Sequence, residues 1–512
     1  MRFNKVLASA LAGGSVAMLA APVVAADGEG KLPSVFIQCD GKVGHVSGGE
    51  RFMRLLLVTA TAGLSEAGMA SDNDKLRLKG AAGVTACDAA LASEGDGYRR
   101  AELALARAIH LDEDKKYVEA AAAAQGVPGF IPATSIDPSL SRSARAAAAY
   151  LEAIELARGG RFAEAEAAAA RSIEASRYEV VGLQRAARLL GLDRTMTPAK
   201  SAALAAIAQA LPSETLAVAK FYAEAADYSK AASLIGDLQQ SFDILVEPAK
   251  REPSAQLLAK RAFYTALGGD AAGARTLLTA ARKQGDADAA SGDDVKYPSA
   301  AADTDEYSSA TDIALALAEK RPADARRLFG ARERWALLPA GVTAAMVGAI
   351  APTVPQGERS GLLAKGEEGV WIDARDGRVK LLGGDSDARL WSASGLLQVA
   401  ARYTGGASAV WTGRTAKPKM LDKEKTDSRF SILSSSPRLY GIPGGEALML
   451  HAALIAQTRG KQGFIVVPVR KSSEVMAVRF VDSAEVGLAS ALFVSAADVV
   501  TVLGGHFPLA AP

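Results

Sequence analysis

Four histidines are the candidate proton-transfer residues in this chain of 512 residues. His45 lies in the glycine-rich segment CDGKVGHVSGGE, which could cradle an anion, although a loop held by Cys39 explains the same glycines. His110 follows a predicted helix, where an imidazolium would complement the carbonyl end. His506 is interpreted in the same way, and His451, in LMLHAALIAQ, as a histidine at the rim of the core. None of the four has a sequence neighbour that completes a catalytic set.

A second candidate is the segment SSSPRLYGIPGGEALMLHAALIAQ, which contains Ser434, Ser435 and Ser436 and then Glu446 near a predicted helix start. The free amides of such a start could hold an anionic ligand. An ordinary capped helix, with Glu446 complementing the helix dipole, is the preferred interpretation. The phosphate-loop, zinc-protease, nucleophile-elbow and dinucleotide motifs are absent from the sequence. We therefore predict no catalytic residue and no cofactor or metal, and keep an enzyme with its active site near the C-terminus as an alternative.

Two cysteines and the first 26 residues predict an exported protein. Arg2 and Lys5 precede an apolar run that ends in small residues at Ala26, which is typical of a secretory signal peptide over 1–26. Cys39 and Cys87 are predicted to form a disulfide in an oxidising compartment, the periplasm. A zinc site is the weaker alternative, because two thiols and His45 supply only three of four ligands. The disulfide would clamp residues 27–80 onto the helices that follow.

The charge balance excludes a nucleic-acid-binding surface. The chain has 59 basic and 57 acidic residues, and they are interspersed. A basic run such as KPKMLDKEK (417–425) contains its own acids and is interpreted as a solvated loop. No later segment is apolar for about 18 residues, so no stable membrane insertion is expected after signal cleavage.

The segment 147–179 predicts a pair of antiparallel helices. Gly159-Gly160 separates the two helices, and the second opens at Phe162. Small and large residues alternate along the facing sides, at Ala153, Leu156, Ala165, Ala169 and Ser172. The same offsets recur in 108–125, 217–240, 259–282 and 313–329, with Ala219, Tyr222, Tyr228, Ala231, Ala262, Gly269 and Ala274 as the clearest packing positions.

This pattern resembles the tetratricopeptide repeat (TPR), although the proline that often closes that repeat is missing near Arg177. The resemblance implies a 34-residue unit of two helices, stacked into an α-solenoid whose concave face binds proteins or peptides. An irregular helical array is the alternative.

The predicted fold class is mainly α, a TPR-like α-solenoid over 81–345 followed by a small α/β or α+β domain over 365–512. A flexible insert is expected at 285–307, which is rich in Gly, Ser and Asp. In the C-terminal domain we predict a hairpin at 368–384, helices at 387–403, 444–460 and 495–503, and strands at 463–469 and 474–482.

The function expected from these features is a non-catalytic, exported scaffold that binds a protein or peptide partner. A structural spacer in envelope or polysaccharide assembly is a further alternative. No partner can be named from the sequence.

Overall fold

The chain is mainly helical in the computed structural model, which describes residues 34–42, 76–132, 138–243, 254–332, 334–397, 431–434, 442–467, 475–485 and 490–505. The helices, numbered in chain order, are α1 (Val35–Asp40), α2 (Gly80–Ser93), α3 (Gly97–Glu113), α4 (Tyr117–Gln125), α5 (Pro138–Arg158), α6 (Phe162–Ala175), α7 (Val180–Ala187), α8 (Pro198–Ala210), α9 (Thr215–Glu224), α10 (Tyr228–Asp243), α11 (Ala255–Leu267), α12 (Ala271–Ser291), α13 (Asp293–Lys296), α14 (Pro298–Ala318), α15 (Pro322–Gly330), α16 (Ala340–Ile350), α17 (Gly361–Leu382), α18 (Ser386–Ser394), α19 (Ile442–Thr458) and α20 (Ala496–Leu503). The strands are β1 (Ser431–Ser434), β2 (Gly463–Val467), β3 (Val475–Val481) and β4 (Phe493–Ser495). The predicted signal peptide, 1–26, lies outside these residues.

In five helix pairs, the two helices are joined by the same type of three-residue turn. The middle residue of each turn has a left-handed backbone conformation with φ between 57° and 93°, and these residues are Lys115, Gly160, Ala226, Gly269 and Lys320. The next residue donates its amide proton to the carbonyl five positions earlier, over 2.8–3.1 Å in every copy. This Schellman arrangement satisfies the last carbonyls of a helix and reverses the chain. The turns join α3 to α4, α5 to α6, α9 to α10, α11 to α12, and α14 to α15.

The packing positions repeat with the turns. Seven residues before each left-handed residue, the side chain is fully buried, at Ala108, Ala153, Ala219, Ala262 and Ile313. Five residues after it, a fully buried alanine follows, at Ala120, Ala165, Ala231, Ala274 and Ala325. Small side chains at these positions let the two helices of a pair approach closely.

The other predicted packing positions lie on the same pairs. Leu156, Tyr222 and Ala169 are buried, and Phe162 and Tyr228, each the first residue of a second helix, are half-buried against the core. The left-handed residues are 45, 66, 43 and 51 positions apart, so the turns do not follow a 34-residue period. The widest interval contains α7 and α8, which are joined by a longer connection.

The flexible insert predicted at 285–307 is wrong, because this segment is helical. Helix α12 continues to Ser291, where Gly292 adopts φ 76° and ends it, and α14 begins at Pro298. The segment contains six alanines, which favour the helix. The break between α12 and α14 falls at Gly292 and at Pro298, the first residue of α14. The prediction gave the polar residues more weight than the alanines.

The hairpin predicted at 368–384 is also wrong, since these residues belong to α17. The more covered positions Val370, Trp371, Ala374 and Arg378 recur at a helical spacing of three to four residues. Helices α17 and α18 contact α16 at one end and α3 and α5 at the other. We call residues 361–397 the return segment, because they run back along the array and bury Val370, Trp371 and Leu390 in its core. Of the helix predicted at 387–403, residues 387–394 belong to α18, and residues 398–403 lie outside the described residues.

The C-terminal part is an antiparallel sheet with the strand order β1-β3-β2-β4. Antiparallel pairing makes this part α+β, one of the two predicted alternatives. Phe464 and Val466 pack with helices α19 and α20 in a second core, whereas Ile465 points to the main core, where β2 contacts α8. The strands predicted at 463–469 and 474–482 correspond to β2 and β3, and the helices predicted at 444–460 and 495–503 correspond to α19 and α20. Ser495 caps α20 by accepting the amide proton of Asp498 over 3.3 Å.

Two cores therefore divide the chain at a point different from the predicted boundary. The return segment shares the main core with the helical array, and the second core contains residues of the sheet and of α19 and α20. The domain predicted from residue 365 thus begins, in terms of packing, after residue 397. In the described residues, none of the helices combines the length and the apolar character needed to cross a bilayer.

Candidate functional site: a polar cleft at the N-terminal end

Helix α1 is fixed to the array by the predicted disulfide, which is confirmed between Cys39 and Cys87. Both cysteines are fully buried, as is His110 of α3. The Nε2 atom of His110 lies 2.7 Å from the carbonyl oxygen of Cys39, and since a carbonyl only accepts, this nitrogen donates its proton. The Nδ1 atom lies 2.9 Å from the carboxylate of Glu113. His110 lies in the last turn of α3, as predicted, but its side chain contacts the Cys39 carbonyl and Glu113, so that it links α3 to α1.

Arg77 connects this region to the return segment. Its side chain is almost fully buried. Nη2 donates to Glu113 over 3.0 Å and to Ser386 over 2.9 Å, and it forms an ion pair with Asp387 at 2.5 Å. Burial alone would raise the pKa of Glu113. Hydrogen bonds from His110, Ser386 and the amide of Gly80, together with the charge of Arg77, instead lower that pKa to about 2. Glu113 is thus an anion over the physiological pH range.

A second group of charges lies at the end of α1. The Arg99 guanidinium binds both oxygens of Asp40, one of them over 2.8 Å, and donates to Glu102 over 3.1 Å. Lys42 Nζ donates to the other oxygen of Glu102 over 2.7 Å. Burial opposes ionisation of Glu102, but the charges of Lys42 and Arg99 lower its pKa. This group holds α1 against α3 and places Lys42 at the surface.

Between these two groups lies a small cleft, lined by Asp40, Lys42, Arg77, Asp387, Leu390, Trp391 and Ser394. Trp391 is 52% exposed, although large apolar side chains are usually covered. The Lys42 ammonium lies 5.7 Å from the centre of the Trp391 ring, within cation–π range. The cleft combines both charge signs with an apolar floor at Leu390. This arrangement presents charged groups of both signs and one aromatic ring at the surface.

Beneath the cleft, the return segment is anchored by a buried carboxylate. Asp112 accepts a hydrogen bond from Arg158 Nε over 2.5 Å and a second from Arg389. Glu155 is fully buried beside it. Burial raises the pKa of Glu155 well above its ordinary value, and the hydrogen bond with Asp112 and its charge act in the same direction, against Arg389 and Arg158. Burial and the neighbouring carboxylate therefore favour the protonated form of Glu155.

Glu446 differs from its predicted role. It lies beyond the first turn of α19, is buried, and pairs with Arg142 of α5, with 2.6 Å between Nη1 and Oε1. It therefore joins the second core to the array instead of complementing a helix dipole. Ser434 ends β1, and Ser435 and Ser436 lie outside the described residues.

The remaining histidines do not add to the cleft. His451 is largely covered on α19, and burial lowers its pKa. His45 and His506 lie outside the described residues. Among the described residues, no group of three or more His, Cys, Asp or Glu side chains could hold a metal ion.

Comparison with known proteins assigns no family to this arrangement. No family model matches the chain, no curated protein matches its sequence, and no solved structure matches its fold. Its class is therefore defined by its own architecture, an array of helix pairs with a return segment and a small α+β unit.

Proposed function

We propose that the protein is an exported scaffold whose helical array binds a protein or peptide partner. The observation that carries this proposal is the Schellman turn repeated five times with buried packing positions at the same offsets. A helix pair cannot cover both of its faces, so repeated pairs stack and leave an extended surface for a partner. We infer that the array is a TPR-like solenoid, as the sequence resemblance implies.

The cleft at Trp391 is the surface that best fits this function. Tryptophan and arginine are the residues most often found at the centre of protein interfaces, and both line this cleft. Lys42 and Asp387 are partly exposed at its rim and can pair with either sign of charge on a partner.

Export is supported by the buried disulfide, because such bonds persist in oxidising compartments. The signal peptide predicted at 1–26 would provide the route.

The proposal is tested by crosslinking the protein in its own envelope and identifying what copurifies. We expect a defined set of partners that is reduced at least five-fold by Trp391→Ala. Leu381→Ala is the matched control, since Leu381 is 84% exposed on the same return segment and does not line the cleft. Equal yields from all three proteins would exclude the cleft as the binding surface. Absence of any specific partner would contradict the scaffold function itself.

A further inference from the structure

Helices α12 and α14 form an arm that leaves the body of the protein. The first half of α12 buries Ala274, Leu278 and Ala281, and the second half of α14 buries Tyr307 and later residues. Between Arg282 and Asp305, in contrast, none of the described side chains is buried. Ten residues of α12 beyond Ala281 extend about 15 Å at 1.5 Å per residue. The arm is therefore a helical projection with no core of its own.

The tip of the arm is apolar and its sides are acidic. Val295 is 80% exposed and Tyr297 is 53% exposed. Residues 283–305 contain six aspartates and two lysines, which gives a net charge of −4 in a chain whose total is +2. Exposed apolar side chains on a charged projection are typical of a contact surface for another protein.

A basic stretch of complementary charge follows directly in the chain. Residues 320–334, which include α15, contain six Lys or Arg and two acids, a net charge of +4. Arg326 and Arg327 are exposed on α15. Helix α14 packs against both α12 and α15, so the arm and the basic stretch belong to one three-helix unit.

Within the part of the chain that the structure describes, the two charged segments of one molecule pair with each other where the arm begins. Asp303 of the arm also pairs with Lys260, and Arg321 and Arg327 pair with Asp324 of the same basic stretch. Arg332 pairs with Asp305, the last residue before the buried half of α14. Above this contact the arm continues away from the body, and below it α15 lies along the buried half. The nine residues of α15 extend about 14 Å, close to the length of the arm.

We propose that two copies of this chain associate through this unit, with the acidic arm of each copy lying on the basic stretch of the other. A twofold axis allows this reciprocal contact, because residue i then meets residue j in both halves of the interface. Charge and length match in both halves, and Val295 and Tyr297 would be covered by the partner copy. The pairing is independent of the ligand that the array binds.

Sedimentation equilibrium of the purified full chain tests the proposal at 50 mM and 500 mM NaCl. We expect a dimer at low salt and at least a ten-fold larger dissociation constant at high salt, because salt screens exposed charges. Tyr297→Ser, which leaves every charge in place, should also weaken the dimer about ten-fold.

Charge exchange provides the decisive result. One variant carries Arg326→Glu and Arg327→Glu, and the other carries Asp286→Lys and Asp294→Lys. Each variant alone should be monomeric, whereas their equimolar mixture should form heterodimers, since both contacts are then again between opposite charges. The control carries Arg145→Glu and Arg188→Glu, exposed outside this unit, and should dimerise as the unmodified protein does.

Circular dichroism establishes that each variant is folded before its mass is measured. A monomer at low salt and high protein concentration would overturn the proposal. A dimer that neither charge-reversed variant disrupts, or a mixture that stays monomeric, would do the same.

Discussion

At the scale of single residues, the carboxyl groups under the cleft are the most informative. Asp112 pairs with the guanidinium groups of Arg158 and Arg389, and Glu155 beside it is fully buried. A second buried anion at this position would be repelled by the first and would lack water. A proton on Glu155 removes that repulsion and provides a donor for Asp112. The pair thus stabilises the contact of α5 with α3 only while it keeps the proton.

We predict that Glu155→Gln makes the protein less sensitive to alkaline pH. The raised pKa means that the folded state retains a proton that the unfolded chain loses above about pH 4.5. Stability from this group is therefore complete at low pH and is lost as pH rises toward the folded-state pKa. Glutamine donates a hydrogen bond at every pH, so the variant should gain free energy of unfolding relative to the unmodified protein between pH 5 and pH 8. Each unit of pKa shift is worth about 1.4 kcal/mol.

Urea unfolding at pH 5, 6, 7 and 8 measures this difference. Glu166 and Glu179, whose pKa values burial raises to about 7, contribute equally to both proteins and cancel. Glu119→Gln, at an exposed position, should show no such trend. A constant offset between Glu155→Gln and the unmodified protein at all four pH values would show that Glu155 is ionised in the folded state.

The sequence identifies some of these residues and not others, for a physical reason. Two cysteines allow one intramolecular pairing, so Cys39–Cys87 follows from composition once a disulfide is expected. Glu155 and Asp112 look like ordinary solvated acids within alanine-rich helices. Their partners, Arg389 above all, are distant in sequence, and burial arises only when the return segment packs. The local sequence gives one indication of their burial: the helical spacing places these acidic residues on the side of the helix that faces the core.

At the scale of elements, the helix pairs were predictable because their pattern is local. Alanine at fixed offsets and the glycines of two turns mark the same pairs that the structure contains. The errors at 285–307 and 368–384 have another origin. The turn-forming residues of 285–307 are compatible with a loop or a helix, and the apolar alternation of 368–384 with a hairpin or a helix. Contacts with α14 and with the array stabilise the helix in each case.

The turn geometry predicts opposite effects for two reciprocal substitutions. Ala226 has φ 61° in a turn where Gly160 occupies the same position elsewhere. A left-handed conformation costs a residue with a Cβ atom about 1 kcal/mol. Ala226→Gly should therefore raise the free energy of unfolding by about 0.5–1 kcal/mol, and Gly160→Ala should lower it by about 1 kcal/mol. Thermal and urea unfolding measure both.

Ala223→Gly is the matched control, because it makes the same replacement three residues earlier, within helix α9. A glycine inside a helix is destabilising by about 1 kcal/mol. If Ala226→Gly and Ala223→Gly destabilised the protein equally, the left-handed turn would not be under strain.

At the scale of the whole molecule, the return segment ties distant parts of the array together. Arg378 of α17 binds Glu224, the last residue of α9, and the carbonyl of Gly191. Its guanidinium carbon also lies 5.6 Å from the ring centre of Trp371, and Arg375 lies 4.1 Å from that of Phe162, the first residue of α6. One helix thus contacts residues of two pairs, and its far end leads to the cleft. A stack of pairs joined only to their neighbours would open piecewise, whereas this segment couples them.

We predict that Arg378→Met loosens the return segment before it unfolds the array. The methionine keeps the apolar stem of the arginine but leaves the Glu224 carboxylate, only 5% exposed, without its guanidinium. An unpaired buried group of this kind is destabilising by about 1–3 kcal/mol. Amide hydrogen exchange in α17 and α18 should accelerate about ten-fold or more, while α5 and α6 keep their protection.

Adding Glu224→Gln should restore most of the protection by removing the unpaired charge. Lys380→Met, at an exposed position of the same helix, should have no effect. Equal acceleration throughout the molecule would mean that segment and array open as one unit, and the cleft at Trp391 would then be as stable as the array that supports it.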